Sequence, residues 1–238
     1  MKKHSIIAIL LIFGITAFIS CEKEDTLQTD TTVSELNSKI GDYHNIALDL
    51  YYKENKQKSS TTNYKDIRGK IITSLANYDS ELFDKAQISE YTLQSEKHLS
   101  NVNISFSNYS AKSTTNNFLE LINYLEQKGE ISIALSQQLK DINSNLLTTS
   151  ERLVLVNGLN DVNWNEQDKK YVNAFTQVYN SSFDYWTNAY KGVLKKSQAA
   201  EGDSVILADA VGALYGMLLG PVMSVIEGAL FSVIANNQ

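Results

Sequence analysis

Few residues in this chain have the type and spacing that chemistry needs. Cys21 is the only cysteine among 238 residues, which excludes an intrachain disulfide framework and a Cys-based zinc cluster. His44 and His98 lie 54 positions apart, and neither sits in an H-E-x-x-H or other close ligand spacing. His44 follows Tyr43 in an apolar stripe and reads as a half-buried, hydrogen-bonded side chain. His98 stands beside Lys97 and reads as exposed. The sequence contains no G-x-S-x-G nucleophile turn and no phosphate-binding loop, and the glycine run at Gly212 follows no strand and lacks the phosphate-loop lysine. Asp42 with Asp49, or Asp161 with Asp168, can supply two carboxylates, but glycoside cleavage needs defined separations in space, and such acids ordinarily decorate helix surfaces. The aromatic run from Tyr171 to Tyr190 has the rings to stack a sugar or a base. Its helical spacing favours core packing, with one of the adjacent rings Tyr185 and Trp186 facing out. No catalytic residue, metal ligand or cofactor is therefore assigned.

Composition sets the class. One proline and eleven glycines leave no room for a Pro-rich linker, and a 43% hydrophobic, 20% charged chain is not wholly disordered. The net charge of −6 argues against nucleic-acid binding.

The amino terminus reads as an address. A basic head, Met1-Lys2-Lys3-His4, precedes an uncharged run from Ile6 to Ile19. At 1.5 Å per residue that run covers roughly 21 Å, too short for a ~30 Å hydrocarbon layer and suited to a signal-peptide core. It ends Phe18-Ile19-Ser20-Cys21. This arrangement resembles a bacterial lipoprotein signal peptide, although Phe18 stands where that family usually has Leu. The resemblance implies that residues 1–20 are removed and that Cys21 carries the lipid. The alternative is a plain secretory signal with an incidental or buried thiol. Removing Lys2 and Lys3 with the leader takes the charge from −6 to −8. Residues 21–32 then form an acidic tether, and Glu22, Glu24 and Asp25 resemble the signal that sends some Gram-negative lipoproteins to the cell surface.

The body, residues 33–238, shows helical periods. Val33, Leu36, Ile40, Tyr43, Ala47 and Leu50 step by three and four, with Ser34 as a candidate cap. Tyr64 to Leu82 repeats the pattern and predicts a helix over 63–83. Ile88 to Leu99 continues more weakly, and the alternation Val102, Ile104, Phe106 also suits a short strand. Phe118 to Leu125 stops at Gly129, a candidate left-handed cap. Leu135 to Leu146 follows, then a turn of helix capped by Ser150. Asn165 opens a long helix that runs toward Lys191, Lys195 and Lys196, its acids at the start and its lysines at the end. The expectation is an all-α single domain of about six or seven mostly antiparallel helices.

The last segment, 205–235, is the most distinctive. Ala210 to Ile226 holds no charge, is bracketed by Asp209 and Glu227, and contains Gly212, Gly216 and Gly220 at four-residue spacing. Read as one helix bent at Pro221, it resembles a glycine zipper whose groove receives another helix. The bland reading is a core helix packed on the aromatic helix. The sharper one is a helix that enters a membrane or assembles with copies of itself. The body matches no family of named activity. The chain is therefore expected to be an outer-membrane lipoprotein held through lipidated Cys21, with its tether pointing to exposure at the cell surface. Its body would be a non-enzymatic module for an unknown protein or small ligand. The alternatives are a membrane-active or oligomerising protein and, less favoured, an envelope hydrolase.

Overall fold

Local signals in the chain explain where each helix begins and ends. A computed structural model describes residues 34–55, 63–102, 114–189 and 199–237. The chain divides at Ser38, and Lys39–Gln238 forms one compact body. Among the described residues there is no strand. The described residues form nine α-helices, more than the six or seven expected, after a short helical turn over residues 34–37. They are α1 (Ile40–Glu54), α2 (Tyr64–Tyr78), α3 (Lys85–Val102), α4 (Thr114–Gln127), α5 (Ile133–Ile142), α6 (Thr149–Gly158), α7 (Glu166–Asp184), α8 (Ala199–Gly216) and α9 (Pro221–Asn237).

The caps account for most boundaries. Asn63 accepts a hydrogen bond from Lys65 N and opens α2, and Asn165 accepts from Asp168 N and opens α7. Thr148, not Ser150, starts α6, because Glu151 three residues on closes a reciprocal capping box with it. Gly129 takes φ +71 after α4. Several expected ends shift. The first helix begins at Ile40 instead of running unbroken from Val33, and its cap residue, Lys39, makes no side-chain bond. α2 stops at Tyr78, where Asp79 accepts from Leu82 N and turns the chain. α5 stops at Ile142, which leaves Leu146 fully in solvent at 93% exposure. Val102 ends α3 as a helical residue, while 103–113, including the rest of the strand-like alternation, and Lys191, Lys195 and Lys196 lie outside the described residues. Gly202 does not interrupt the chain but lies within α8.

The largest departure is at the C-terminus. Residues 205–235 are not one bent helix but two, folded back on each other. α8 tightens into a 3₁₀ turn at Met217–Leu219, Gly220 takes φ +106, and Pro221 becomes the first residue of α9. The physics is local. Only glycine tolerates that backbone conformation cheaply, and proline at the first helical position loses no bond because its missing N–H would have had no intrahelical partner. The arms are antiparallel, with Gly216 against Met223 and Gly212 against Glu227.

This hairpin is the centre of the body. All of residues 205–217 and 223–235 are buried, as expected for helices apolar on every side. α7 and α4 pack on the α8 arm, α1 and α2 on the α9 arm, and α7 also packs on α1. α5 and α6 sit farther out, against α4 and α7. The groove at Gly212 and Gly216 is therefore filled by α9 and not by the aromatic helix. Gly220 is no part of it, because it makes the turn. A side chain on Gly212 would stand 2.9 Å from Gly228 Cα, and one on Gly216 would stand 2.6 Å from Ser224 Cα. A third close approach, absent from the glycine pattern, is at Gly41, where a Cβ would lie 2.6 Å from Gln177 O on α7.

Gly216→Ala is expected to destabilise the body by about 1–3 kcal/mol, because backbone must move to admit the methyl. The same change at Gly69 has open space around it and should stabilise by up to ~1 kcal/mol through helix propensity. Opposite shifts in thermal midpoint, of about 2–4 °C per kcal/mol for a body of this size, would be read by circular dichroism. Equal shifts would show that α8 and α9 are not in backbone contact.

Candidate functional site

The hairpin carries two carboxylates into the core, and they are the two acids that bracket the uncharged run. Asp209 on α8 and Glu227 on α9 are both wholly buried. A buried carboxylate is costly unless partners meet it, so its surroundings show what it does.

Asp209 faces α7 and α1. Its Oδ2 accepts from Ser182 Oγ and from Trp186 Nε1 at 3.1 Å. α7 passes into a π-helical turn at Tyr185–Ala189, and Trp186 lies just inside it. Both adjacent rings point inward, at 6% exposure for Tyr185 and 2% for Trp186, against the expectation that one would face out. Tyr185 reaches Asp49 Oδ1 at 3.0 Å, and the two rings meet edge-on at 5.2 Å.

His44 on α1 is the third party. Its Nε2 stands 3.6 Å from Asp209 Oδ2, and both groups are fully buried. Asn45 donates its amide to Ser181 O at 3.0 Å, which turns its Oδ1 toward His44 Nδ1 at 3.1 Å. An acceptor there assigns the ring proton to Nδ1 and leaves Nε2 as a lone pair toward Asp209. Burial draws the His44 pKa down to about 4, against smaller opposing effects of Asn45 and the Gly228 backbone. Burial also pushes Asp209 up to about 7, opposed by the hydroxyls of Ser182 and Ser232 and the Trp186 indole. Neither Asp209 Oδ1, Ser232 Oγ nor His44 Nε2 makes a hydrogen bond of good geometry.

Burial thus moves the two groups in opposite directions, each toward its uncharged form. Between about pH 4 and 7 the folded pair has a neutral imidazole and a protonated carboxyl. The unfolded chain also carries one proton on these two groups over nearly the same range, on the imidazole instead. The proton changes owner on folding and the count does not, so the pair adds little pH dependence to stability.

Glu227 faces the other way. Arg68 Nη2 from α2 lies 3.1 Å from Oε1 and 3.2 Å from Oε2, and Ser95 from α3 donates to Oε1 at 2.9 Å. Tyr215 on α8 donates to Ser95 O at 2.5 Å. Burial, then the Glu227 charge, pushes the Tyr215 hydroxyl far above its ordinary value. Arg68 also stacks over Tyr64 at 5.5 Å and lies 3.8 Å from Glu96. Four helices thus meet at one ion pair.

These groups do not form a hydrolase triad, although a serine, a histidine and an aspartate come together. Ser182 is bonded to the acid and not to the imidazole, and all three are at 0% exposure, out of reach of a substrate. The other residues singled out in the sequence are scattered. Asp42, Asp49 and Asp161 are exposed, whereas Asp168 is buried and accepts from Ser132 N at 2.8 Å, tying α7 to the start of α5. His98 is half-buried, not exposed, beside Tyr124 OH at 3.1 Å. Cys21 lies outside the described residues. Among the described residues no group of His, Cys, Asp or Glu is placed to hold a metal ion, and no helix is long and apolar enough to cross a membrane. A shallow cleft of about 570 Å³ on α2 is lined by Glu54, Lys65, Asp66, Gly69, Lys70 and Thr73. Its lysines already meet Glu96 and Asn55, and Glu54 meets Ser74. Arg68 and Ser95 were not anticipated. The visible signal for Arg68 was a cation beside the apolar stripe Ile67, Ile71, Leu75, and for Ser95 a small polar residue inside the stripe of α3.

Comparison with protein-family models, with curated proteins and with solved structures yields no match.

Two tests follow from the geometry. In Asp209→Asn the lowered His44 pKa acts alone, so stability relative to wild type should fall as pH drops from 6.5 toward 4. In His44→Gln the raised Asp209 pKa acts alone, so stability relative to wild type should rise as pH drops from 7 toward 4. Each slope is on the order of 1 kcal/mol per pH unit, read from denaturant midpoints. Parallel slopes in the two variants would exclude these opposite shifts. Separately, Arg68→Met should cost about 3–5 kcal/mol by stranding Glu227, and adding Glu227→Gln should recover part of that loss.

Proposed function

We propose that this chain is a cell-envelope lipoprotein, held in the outer membrane through lipid on Cys21, whose helical body is a non-enzymatic binding or interaction module. The observation that carries this reading is the placement of the only cysteine directly after a short uncharged run and a small residue, Ser20-Cys21, ahead of an acidic tether. Acyl chains on Cys21 would supply the membrane affinity, since each buried CH₂ contributes about 0.8 kcal/mol and more than one chain gives a stable anchor. The body fits a scaffold role. Its two core acids are held inside the body, Glu227 by Arg68 and Ser95 and Asp209 by Ser182 and Trp186. The partner would be a protein or a small ligand, and the negative balance disfavours nucleic acid. Assembly of copies through the Gly212–Gly216 groove is disfavoured, because α9 fills that groove in the folded chain.

Metabolic labelling with palmitate is the direct test. The wild-type chain should take up label and fractionate with outer membranes, whereas Cys21→Ser should take up none and leave the membrane fraction. An unlabelled wild-type chain that keeps residues 1–20 would overturn the assignment.

A further inference from the structure

The turn of the central hairpin has a surface character unlike the rest of the hairpin. Residues 205–217 and 223–235 are buried, but residues 218–222, Leu-Leu-Gly-Pro-Val, are only partly buried and reach the surface of the body. This tip is apolar throughout, and no charged side chain occurs on its own element between Asp209 and Glu227. Those two acids are themselves buried and bonded inside the body. Leu219 is ten residues from Asp209 and eight from Glu227. At 1.5 Å per residue, the nearest charges on the hairpin stand roughly 12–15 Å behind the tip.

We infer that the Leu218–Val222 tip is a lipid-contacting element that seats the body on a bilayer surface. The inference rests on the lipoprotein reading, which supplies the membrane. The eleven tether residues, 22–32, reach at most about 40 Å when extended. The body therefore meets lipid at a high effective concentration, and a weak apolar contact suffices to orient it. A single weak insertion joined to a lipid anchor is also the two-signal arrangement that gives stable membrane association. The tip brings no Lys or Arg of its own to meet anionic headgroups, which favours a lipid surface of zwitterionic ones. The contact is interfacial, since neither arm of the hairpin is long and apolar enough to cross a membrane.

The test uses the processed chain, residues 21–238, with Cys21→Ser, so that no acyl chain contributes and any new cysteine is unique. An environment-sensitive fluorophore on Leu219→Cys should shift to the blue and brighten at least about twofold on adding phosphatidylethanolamine–phosphatidylcholine vesicles. The same label on Leu146→Cys, at a position 93% exposed and remote in sequence from the hairpin, should not respond. Leu218→Asp with Val222→Asp should lower the vesicle-bound fraction about tenfold or more, given the cost of burying a carboxylate in lipid. The label at residue 219 needs no such charge, so it remains decisive if the aspartate variant folds poorly. No response at 219, equal responses at 219 and 146, or a response at 219 that follows protein concentration without lipid would each overturn the inference. The last would mark the tip as a contact between copies of the chain. Failure here leaves the palmitate result intact, so the two readings are scored apart.

Discussion

The fold depends on how closely α8 and α9 approach one another. Two helices that are apolar on every side bury each other and leave the hairpin's remaining faces for the helices around it. The approach is possible because Gly212 and Gly216 present no Cβ where the backbone of α9 passes. Ser224 on α9 donates to Ala213 O on α8 at 2.8 Å, which joins the arms by a hydrogen bond as well as by contact. Among the hairpin's glycines, Gly212, Gly216 and Gly220 stand out, and glycine is unfavourable by propensity alone, up to ~1 kcal/mol each in a helix interior. Here two are offset by dispersion contacts along the arms, and the third makes the turn.

A hairpin at the centre exposes a second constraint. It carries two carboxylates, Asp209 and Glu227, into the core, and no position there is in water. The structure meets this in two different ways. Glu227 stays with a cation, because Arg68 cannot give up its charge, and Ser95 takes up one of the remaining lone pairs. Asp209 has no fixed cation; burial pushes its carboxyl toward the neutral form, while Ser182 and Trp186 donate to one of its oxygens. These contacts tie α1, α2, α3 and α7 to the hairpin. A packing error in any of them would strand a buried charge or polar group, which gives the fold a penalty against alternatives that apolar contacts alone do not impose.

Several features were legible in the chain. The helical class and the start near Asn63 followed from stripes of period three and four, and the start at Asn165 from the acids of the first turn; the structure adds that both asparagines accept a hydrogen bond there. The stop at Gly129 followed from a residue free to take positive φ. The hairpin was missed although its signal was present. Gly220-Pro221 is a turn dipeptide, but within a run of uncharged residues the helical period continued smoothly across it. Leu146 was misassigned for a related reason, since an apolar residue at the right interval joins a stripe on paper whether or not the helix has ended.

By itself the sequence determined which residues must leave water and where single helices can start and stop, because caps, glycines and periodicity act over a few residues. Which helix covers which face was decided only in three dimensions. Arg68 and Glu227 are 159 positions apart, and Asn45 reaches Ser181 across 136. No local rule links such pairs. A helical stripe specifies that a face is buried but not what lies opposite. That choice is made by shape at the glycine contacts and by the need of two buried acids for particular partners.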